Sequence, residues 1–242
     1  MKVVIIVQAR MTSTRLPGKI LKEILGKSLL EYQIERLKRV CLANDLVIAT
    51  TTNDTDNPVV ALCEKLHVNY FRGSESDVLA RYHGAAVKYN ADVIVRVTSD
   101  CPLIDPDVID KVIQVYCQRS ELYDYCSNTL LRTYPRGMDA EAFSREALDR
   151  AYELAILPLE REHVTPFIKA NGLYLSENVS YFEDQSRHRW TVDTYEDFEL
   201  IKNILEVLYP VNKFFTLQDV LNCLKINPAW FLINAHVEQK HV

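Results

Sequence analysis

Glycine is scarce, with six in 242 residues, and that scarcity excludes two common phosphate-binding loops. A dinucleotide fingerprint needs three glycines in one strand-to-helix turn, whereas the loop after the first apolar run has only Gly18. A Walker A loop fails as well: Ser13 stands where its first glycine belongs, and Ile20 follows Lys19 in place of Ser or Thr. The six cysteines (Cys41, Cys63, Cys101, Cys117, Cys126, Cys223) show no CxxC or Cys/His metal spacing, so they read as reduced, mostly buried thiols of a cytoplasmic chain. Positive charge is not in excess: 28 Lys and Arg face 33 Asp and Glu, a net charge of -5. Nucleic acid is therefore not an expected partner, and any anion must be held by a local cluster of cations. No run is long enough to span a membrane, and residues 1–9 lack the form of a signal peptide. Ser/Gly linkers, low-complexity tracts and internal repeats are also missing.

What is present is an apolar content of 48%, enough for one substantial core at this length. Residues 2–9 (KVVIIVQA) form a β-branched run, as expected of a strand covered on both faces. Helical spacing over 28–40, a second buried run at 46–50, a helix at 57–66, a short strand at 69–71, a helix at 77–89 and the run 92–97 continue the alternation. The pattern predicts an α/β fold with a mostly parallel central sheet and helices on both faces. Further helices are expected at 106–120, 145–155, 160–169 and 195–208, strands at 139–143, 174–182 and 190–192, and a helical tail over 214–235. The whole chain reads as one domain with a middle insertion at about 124–185.

Three strand ends carry candidate chemistry. The loop from Gln8 to Lys19 places Arg10, Arg15 and Lys19 at intervals of five and four residues, interleaved with Thr12, Ser13 and Thr14. Guanidinium forks and small hydroxyl donors suit a polyphosphate, and in an open α/β sheet ligands sit beyond the carboxyl ends of the strands. Asp100 follows the run 92–97 and precedes a rigid Cys-Pro turn, where its carboxylate suits Mg²⁺ or caps the turn; spacing alone leaves both open. Asp105 before Pro106 is expected to cap a helix. Asp193, 93 residues beyond Asp100, also ends a strand-like run; it would join Asp100 at one cation, or Asp193 or Thr194 would cap the next helix. In the middle region Asp139 and Glu141 alternate along an expected strand and so share one face, suited to sugar hydroxyls, and His163 is a candidate to bind substrate or act as a base. Surface charge and a structural histidine account for these residues equally well. Nothing in the spacing brings Cys101 and His163 together as a thiol nucleophile pair. The aromatic residues Phe214, Phe215, Trp230 and Phe231 read as core or subunit interface.

Taken together, VVIIVQARMTSTRLPGKIL, FRGSESDVLARY, RVTSDCPLIDPDVID, YPRGMDAEAF, EREHVTPFI and RWTVDTYEDFEL resemble the spore coat polysaccharide biosynthesis cytidylyltransferase-like family. That family is similar to the acylneuraminate and deoxy-manno-octulosonate cytidylyltransferases. The segments run in family order from residue 3 to about residue 200. The resemblance implies a Rossmann-like nucleotidyltransferase fold and Mg²⁺-dependent transfer of CMP from CTP to a sugar or sugar acid, with release of pyrophosphate. It implies nucleotide contacts from Gln8, Ala9, Arg10, Arg15, Lys19 and Arg81, with Arg10, Lys19 and Asp100 catalytic and Asp100 and Asp193 holding the metal. It further implies an acceptor pocket lined by Asp139, Glu141 and His163, and a homodimer in which the middle insertion reaches across to its partner. The middle region follows the spore-coat pattern and departs from that of the sugar-acid enzymes, so a sugar acid, a sugar phosphate or another hydroxylated metabolite would each fit. A nucleotide-sugar glycosyltransferase is the rival enzyme, though Ser99-Asp100-Cys101 lacks the DxD metal motif common there; a catalytically silent nucleotide-binding subunit is the rival from another class.

Overall fold

Strand β1 (Val3–Gln8) reads VVIIVQ, and its first five side chains are all buried, which places it at the middle of a sheet covered on both faces. The computed structural model, which describes residues 1–170 and 175–239, shows why. Strand β1 pairs in parallel with β4 (Asp45–Thr51) on one side and β6 (Val93–Thr98) on the other. Ile5 and Val7 pack into one apolar layer while Val4 and Ile6 pack into the opposite one, as the two-residue period of a strand requires. Between β1 and β4 lie a small hairpin, β2 (Glu23–Ile24) with β3 (Lys27–Ser28), and helix α1 (Leu29–Leu37), whose N-cap Ser28 accepts a hydrogen bond from the Glu31 amide. Helix α2 (Asn57–Lys65), strand β5 (Asn69–Gly73) and helix α3 (Val78–Lys88) follow β4, and α4 (Pro106–Gln118) follows β6. Asp105 caps α4, accepting from the Asp107 amide, as its position before Pro106 predicts.

The middle region adds β7 (Tyr125–Ser127), β8 (Glu141–Ser144), α5 (Arg145–Leu154), α6 (Pro158–His163), α7 (Pro166–Ala170) and β9 (Ser176–Asn178). Its strands extend the same sheet, in the order β5-β4-β1-β6-β8-β7-β9, with β8 antiparallel to both neighbours. Helices α8 (Tyr195–Leu208) and α9 (Leu217–Ile226) complete the chain with a 3-10 turn at Pro228–Leu232. The fold is thus α/β with a mostly parallel sheet. Because β4 and β6 flank β1 on opposite sides, the loops leaving β1 and β6 emerge next to each other, the place where such sheets bind ligands.

Four expectations need correction. The helix expected over 160–169 is broken in two at Val164, which sits at φ 69°, ψ -55° with Thr165 N–H bonded to His163 C=O at 2.8 Å. This is a γ-turn, a rare conformation for a β-branched residue, and Pro166 just beyond disfavours helix in the residue before it. Residues 190–192 form no strand: Trp190 N–H bonds Arg136 C=O at 2.8 Å and Val192 N–H bonds Asp100 C=O at 2.8 Å, so the segment is stitched between two loops. Gly137 permits that crossing. Its φ is +100°, and a Cβ there would lie 2.7 Å from the Trp190 carbonyl carbon. The strand expected over 139–143 begins at Glu141, leaving Asp139 in the preceding loop, and that over 174–182 is confined to β9, with Tyr174 outside the described residues. The tail over 214–235 is helical as expected, made of α9 and the 3-10 turn.

Candidate active site

The loop after β1 is pinned from beneath. Asp56 is fully buried and accepts hydrogen bonds from Thr50 Oγ1 (2.9 Å), Thr51 Oγ1 (2.6 Å), the Thr51 amide (3.0 Å) and the Met11 amide (2.8 Å). Burial alone would raise its pKa; these donors outweigh it and hold the carboxyl below its ordinary value. Gly18, at φ +68°, then turns the chain so that its N–H bonds Met11 C=O at 2.9 Å and Lys19 points inward. The loop is a fixed cradle.

Lys19 brings the two distant aspartates together. Its ammonium lies 2.7 Å from Asp193 Oδ1 and 3.3 Å from Asp100 Oδ2, and the residue is only 8% exposed. Arg15 Nη2 reaches Asp193 Oδ2 at 2.8 Å. Asp100 also accepts from Thr98 Oγ1 at 2.6 Å. Burial would raise the Asp100 pKa, but the adjacent Lys19 charge and these hydrogen bonds bring it down to about 2. For Lys19, burial lowers the pKa and the two carboxylates more than restore it, so its pKa is raised. Asp100 is therefore a carboxylate and Lys19 an ammonium at neutral pH.

The capping alternatives resolve by geometry. Thr194, not Asp193, caps α8, accepting from the Asp197 amide in a capping box. Asp193 is left to face the cleft, where Arg189 Nη2 holds its Oδ2 at 2.9 Å while Arg189 Nε binds Asp197 at 2.9 Å. Both carboxylates thus already surround one cation. Among the described residues no three His, Cys, Asp or Glu side chains form a ready-made metal cage. Two anionic oxygen donors facing an open cleft fit Mg²⁺, which takes one or two carboxylates and completes its shell with substrate oxygens and water.

Two adjoining cavities open from this junction. The first, of about 280 Å³, is lined by Gln8, Ala9, Arg10, Ser13, Thr14, Arg15, Lys19 and Arg81. Arg10 lies 3.6 Å from Glu75, and Arg81, almost fully buried, donates from Nη1 to Ser74 C=O at 2.8 Å. The second, of about 490 Å³, is lined by Arg96, Arg132, Arg136, Asp139, Glu141 and Lys169 among others. Gln8, Arg15, Asp100, Glu162, His163 and Asp193 line both. Every residue that the resemblance implies as a nucleotide, metal or acceptor contact therefore lines one of two connected cavities, whereas Thr12 lies outside both and donates to Glu75.

The acceptor-side residues are more heavily engaged than the sequence suggests. Glu141 is 5% exposed and takes an ion pair from Arg96, hydrogen bonds from Tyr125 OH (2.5 Å) and Thr165 Oγ1 (2.7 Å), and the Lys169 ammonium at 3.5 Å. Arg96 in turn donates to Gln8 Oε1 at 3.1 Å, linking the two cavities. Asp139 is gripped by both Nη atoms of Arg132 at 2.6 and 2.7 Å. His163 is half-buried; burial lowers its pKa more than the nearby Glu162 raises it, so the imidazole is neutral at pH 7. Cys101 lines the larger cavity too, but burial pushes its thiol far above the ordinary value, which removes it as a nucleophile. The sequence reading missed Arg96, Arg132, Arg136, Lys169 and the anchor Asp56. For Arg96 a signal existed: a charge inside the otherwise apolar run VIVRV, which a buried partner must neutralise.

An open α/β sheet whose carboxyl edge carries a basic loop, two convergent aspartates and a second polar cavity defines a class, the nucleotidyltransferases that work on a polyphosphate. The chain belongs to the cytidylyltransferase family, whose profile matches residues 4–219. It is 36% identical in sequence to a cytidylyltransferase from Leptospira borgpetersenii serovar Hardjo-bovis, whose solved structure superposes with a TM-score of 0.92 over 100% of both chains. It is 34% identical over 215 residues to the spore coat polysaccharide biosynthesis protein SpsF of Bacillus subtilis, covering 84% of this chain and 86% of that one. It is also 31% identical over 162 residues to the 3-deoxy-manno-octulosonate cytidylyltransferase of Geobacter metallireducens, covering 61% of this chain and 63% of that one.

Proposed function

We propose that the protein transfers the CMP group of CTP to a hydroxyl of a sugar or sugar acid, releasing pyrophosphate, in the synthesis of a surface polysaccharide or glycan precursor. The observation that carries this reading is the meeting of Lys19, Asp100 and Asp193 between a basic cavity sized for a nucleotide and a larger polar one. Similarity to SpsF and to the octulosonate enzyme supports the acceptor class.

In this reaction the acceptor oxygen bonds to the α-phosphorus as the bond to the departing pyrophosphate breaks, and the hydroxyl proton passes to solvent. Charge spreads over the phosphoryl oxygens, so the protein's task is positioning and neutralisation. Arg10, Arg15 and Lys19 face the triphosphate, while Gln8, Ala9 and Arg81 hold the nucleoside end. Asp139, Glu141 and His163 line the acceptor side. Asp100 and Asp193 would hold Mg²⁺, which when bound adds positive charge beside the phosphate oxygens. The reaction belongs in the cytoplasm, where nucleoside triphosphates are available; among the described residues no helix is long and apolar enough to cross a membrane.

The test is a pyrophosphate-release screen of the four nucleoside triphosphates against sugar acids, sugar phosphates and neutral sugars, with Mg²⁺ and with EDTA. CTP is expected to be used, only with metal and only with an acceptor. Release of a nucleoside diphosphate from a nucleotide-sugar donor, with no pyrophosphate from any triphosphate, would replace this reading with glycosyl transfer.

We further propose a homodimer formed through the connection between α5 and α6, where Tyr152, Leu154, Ile156, Leu157 and Leu159 are exposed within eight residues. So dense an apolar surface is unusual on a monomer. Light scattering should give twice the 27.9 kDa chain mass, and the double variant Ile156→Glu/Leu157→Glu should give the monomer mass; a wild-type monomer at micromolar concentration rules the dimer out.

A further inference from the structure

A third cavity, of about 270 Å³, lies between the C-terminal half of α1 and the connection from α8 to α9, and shares no residue with the two at the active site. Four cations line it, Arg36, Lys38, Arg39 and Lys213. They face one carboxylate, Glu35, which is already held by Lys27 and by Tyr209 OH at 2.8 Å. Arg36 is only 3% exposed. Its Nε donates to Ile104 C=O at 2.6 Å and its Nη2 to Phe215 C=O at 3.0 Å, with the guanidinium 4.2 Å from the centre of the Phe215 ring. These contacts fix the fork and leave Nη1 buried with no hydrogen-bond partner. Burial lowers the Arg36 pKa to about 10, so the group is still a cation at neutral pH. Asp105 and Asp219 favour its charge, but their carboxylates are taken up by the backbone: Asp105 accepts from the Asp107 and Leu217 amides, and Asp219 from the Thr216 amide. Three residues on, Arg39 repeats the arrangement, its guanidinium 5.2 Å from the centre of the Phe214 ring and its Nη2 buried without a partner. Buried donors without acceptors are uncommon. Two of them on neighbouring guanidiniums that repel each other, both bordering one cavity, point to an anion.

We propose that this cavity is a second anion site, separate from the active site, and that it takes the phosphate group of a small phosphorylated molecule whose apolar part rests against Phe214. Donors from two arginines and the Lys213 ammonium suit the several oxygens and double charge of a phosphate, whereas a planar carboxylate is served by a single fork. Phe214 is 68% exposed at the rim, beside Lys213 in sequence, and offers a ring face that a bare phosphate ion would not use. The cations are held at different depths: Arg36 is fixed to two backbone carbonyls within the protein, Arg39 is half-buried, and Lys213 stands in solvent. A phosphate would therefore enter past Lys213 and end on the two arginines. The site does not depend on the transfer reaction.

Calorimetric titrations of the full chain with phenyl phosphate, inorganic phosphate and benzoate test the site. Because the active-site loop also carries cations, the comparison is between Arg39→Ala, Lys213→Ala and Arg15→Ala. Phenyl phosphate should show a binding step that Arg39→Ala weakens about 10- to 100-fold, the usual value of a hydrogen bond to a charged group. Lys213→Ala should weaken the same step less, and Arg15→Ala should leave it unchanged. Inorganic phosphate should bind there more weakly than phenyl phosphate, and benzoate more weakly still. Arg36→Ala is not used, since it would also free the Ile104 and Phe215 carbonyls; the thermal midpoints of the Arg39 and Lys213 variants, taken without ligand, verify that each is folded. No binding of phenyl phosphate, or binding that falls in Arg15→Ala and not in Arg39→Ala, would overturn the site. Benzoate binding more tightly than phenyl phosphate would overturn the phosphate assignment, and inorganic phosphate binding as tightly as phenyl phosphate would overturn the role of Phe214. Each of these results would leave the transfer reaction standing, because none of them is read from pyrophosphate release.

Discussion

Lys19→Ala is expected to lower pyrophosphate release from CTP by about two to three orders of magnitude, the usual loss when one preorganised charge is removed from a developing oxyanion. A second effect separates the role of Lys19 from simple charge attraction. Without ligand, its ammonium is what keeps Asp100 and Asp193 compatible at one place, at 3.3 and 2.7 Å. Removing it leaves two carboxylates at the junction with only Arg15 and Arg189 to offset Asp193 and with no ion-pair partner for Asp100 among the described residues. Lys19→Ala should therefore also lose stability in urea titrations at pH 7, and adding Asp100→Asn should recover stability while activity stays low. Stability recovers without activity only if Lys19 has both roles. Near-wild-type turnover by Lys19→Ala would remove it from the reaction, and a double variant no more stable than the single one would show that the pair does not govern the junction.

Much of this site was legible because strand ends announce themselves. A β-branched run such as VVIIV can only be a covered strand, so the polar loop that follows it has to lie at the sheet edge, and Asp100 and Arg10 reach the same edge by the same logic. The cap before α4 was equally local, since Asp105-Pro106 carries its own geometry. What the sequence withheld were pairings across long separations. Asp193 and Thr194 are both plausible caps, and only the fold shows Thr194 taking that role while Arg189 turns Asp193 toward Lys19. The break at Val164 had a local signal in Pro166, which disfavours helix in the residue before it, but the positive φ of Val164, whose side chain is fully buried, had none. Arg132 lies in a stretch with no hydrophobic period, so its pairing with Asp139 could not be read in advance.

Glu141→Ala is expected to be the most destabilising single change at the acceptor side. Glu141 ends four interactions at once, and its loss would strand Arg96 inside the protein beside Tyr125 and Thr165. Breaking a buried pair by removing one partner commonly costs about 3 to 5 kcal/mol, a fall of about 10 °C in thermal midpoint for a chain of this size. The pH dependence tests the cause. Burial would raise the Glu141 pKa, yet Arg96, then Lys169 and the hydroxyl donors, bring it down to about 2 from the ordinary 4.5. A depressed carboxyl pKa stabilises the fold above the unfolded value and loses that contribution as pH falls through the folded one. The gain is on the order of 3 kcal/mol at neutral pH, shrinking by about half or more by pH 3. Urea titrations of wild type and Glu141→Gln should accordingly differ most above pH 5 and converge toward pH 3. Since Arg96 also holds Gln8 at 3.1 Å, Glu141→Gln should raise KM for CTP as well as for the acceptor. A stability gap that does not change with pH would show that shape, and not the Arg96–Glu141 charge pair, fixes this wall between the two cavities.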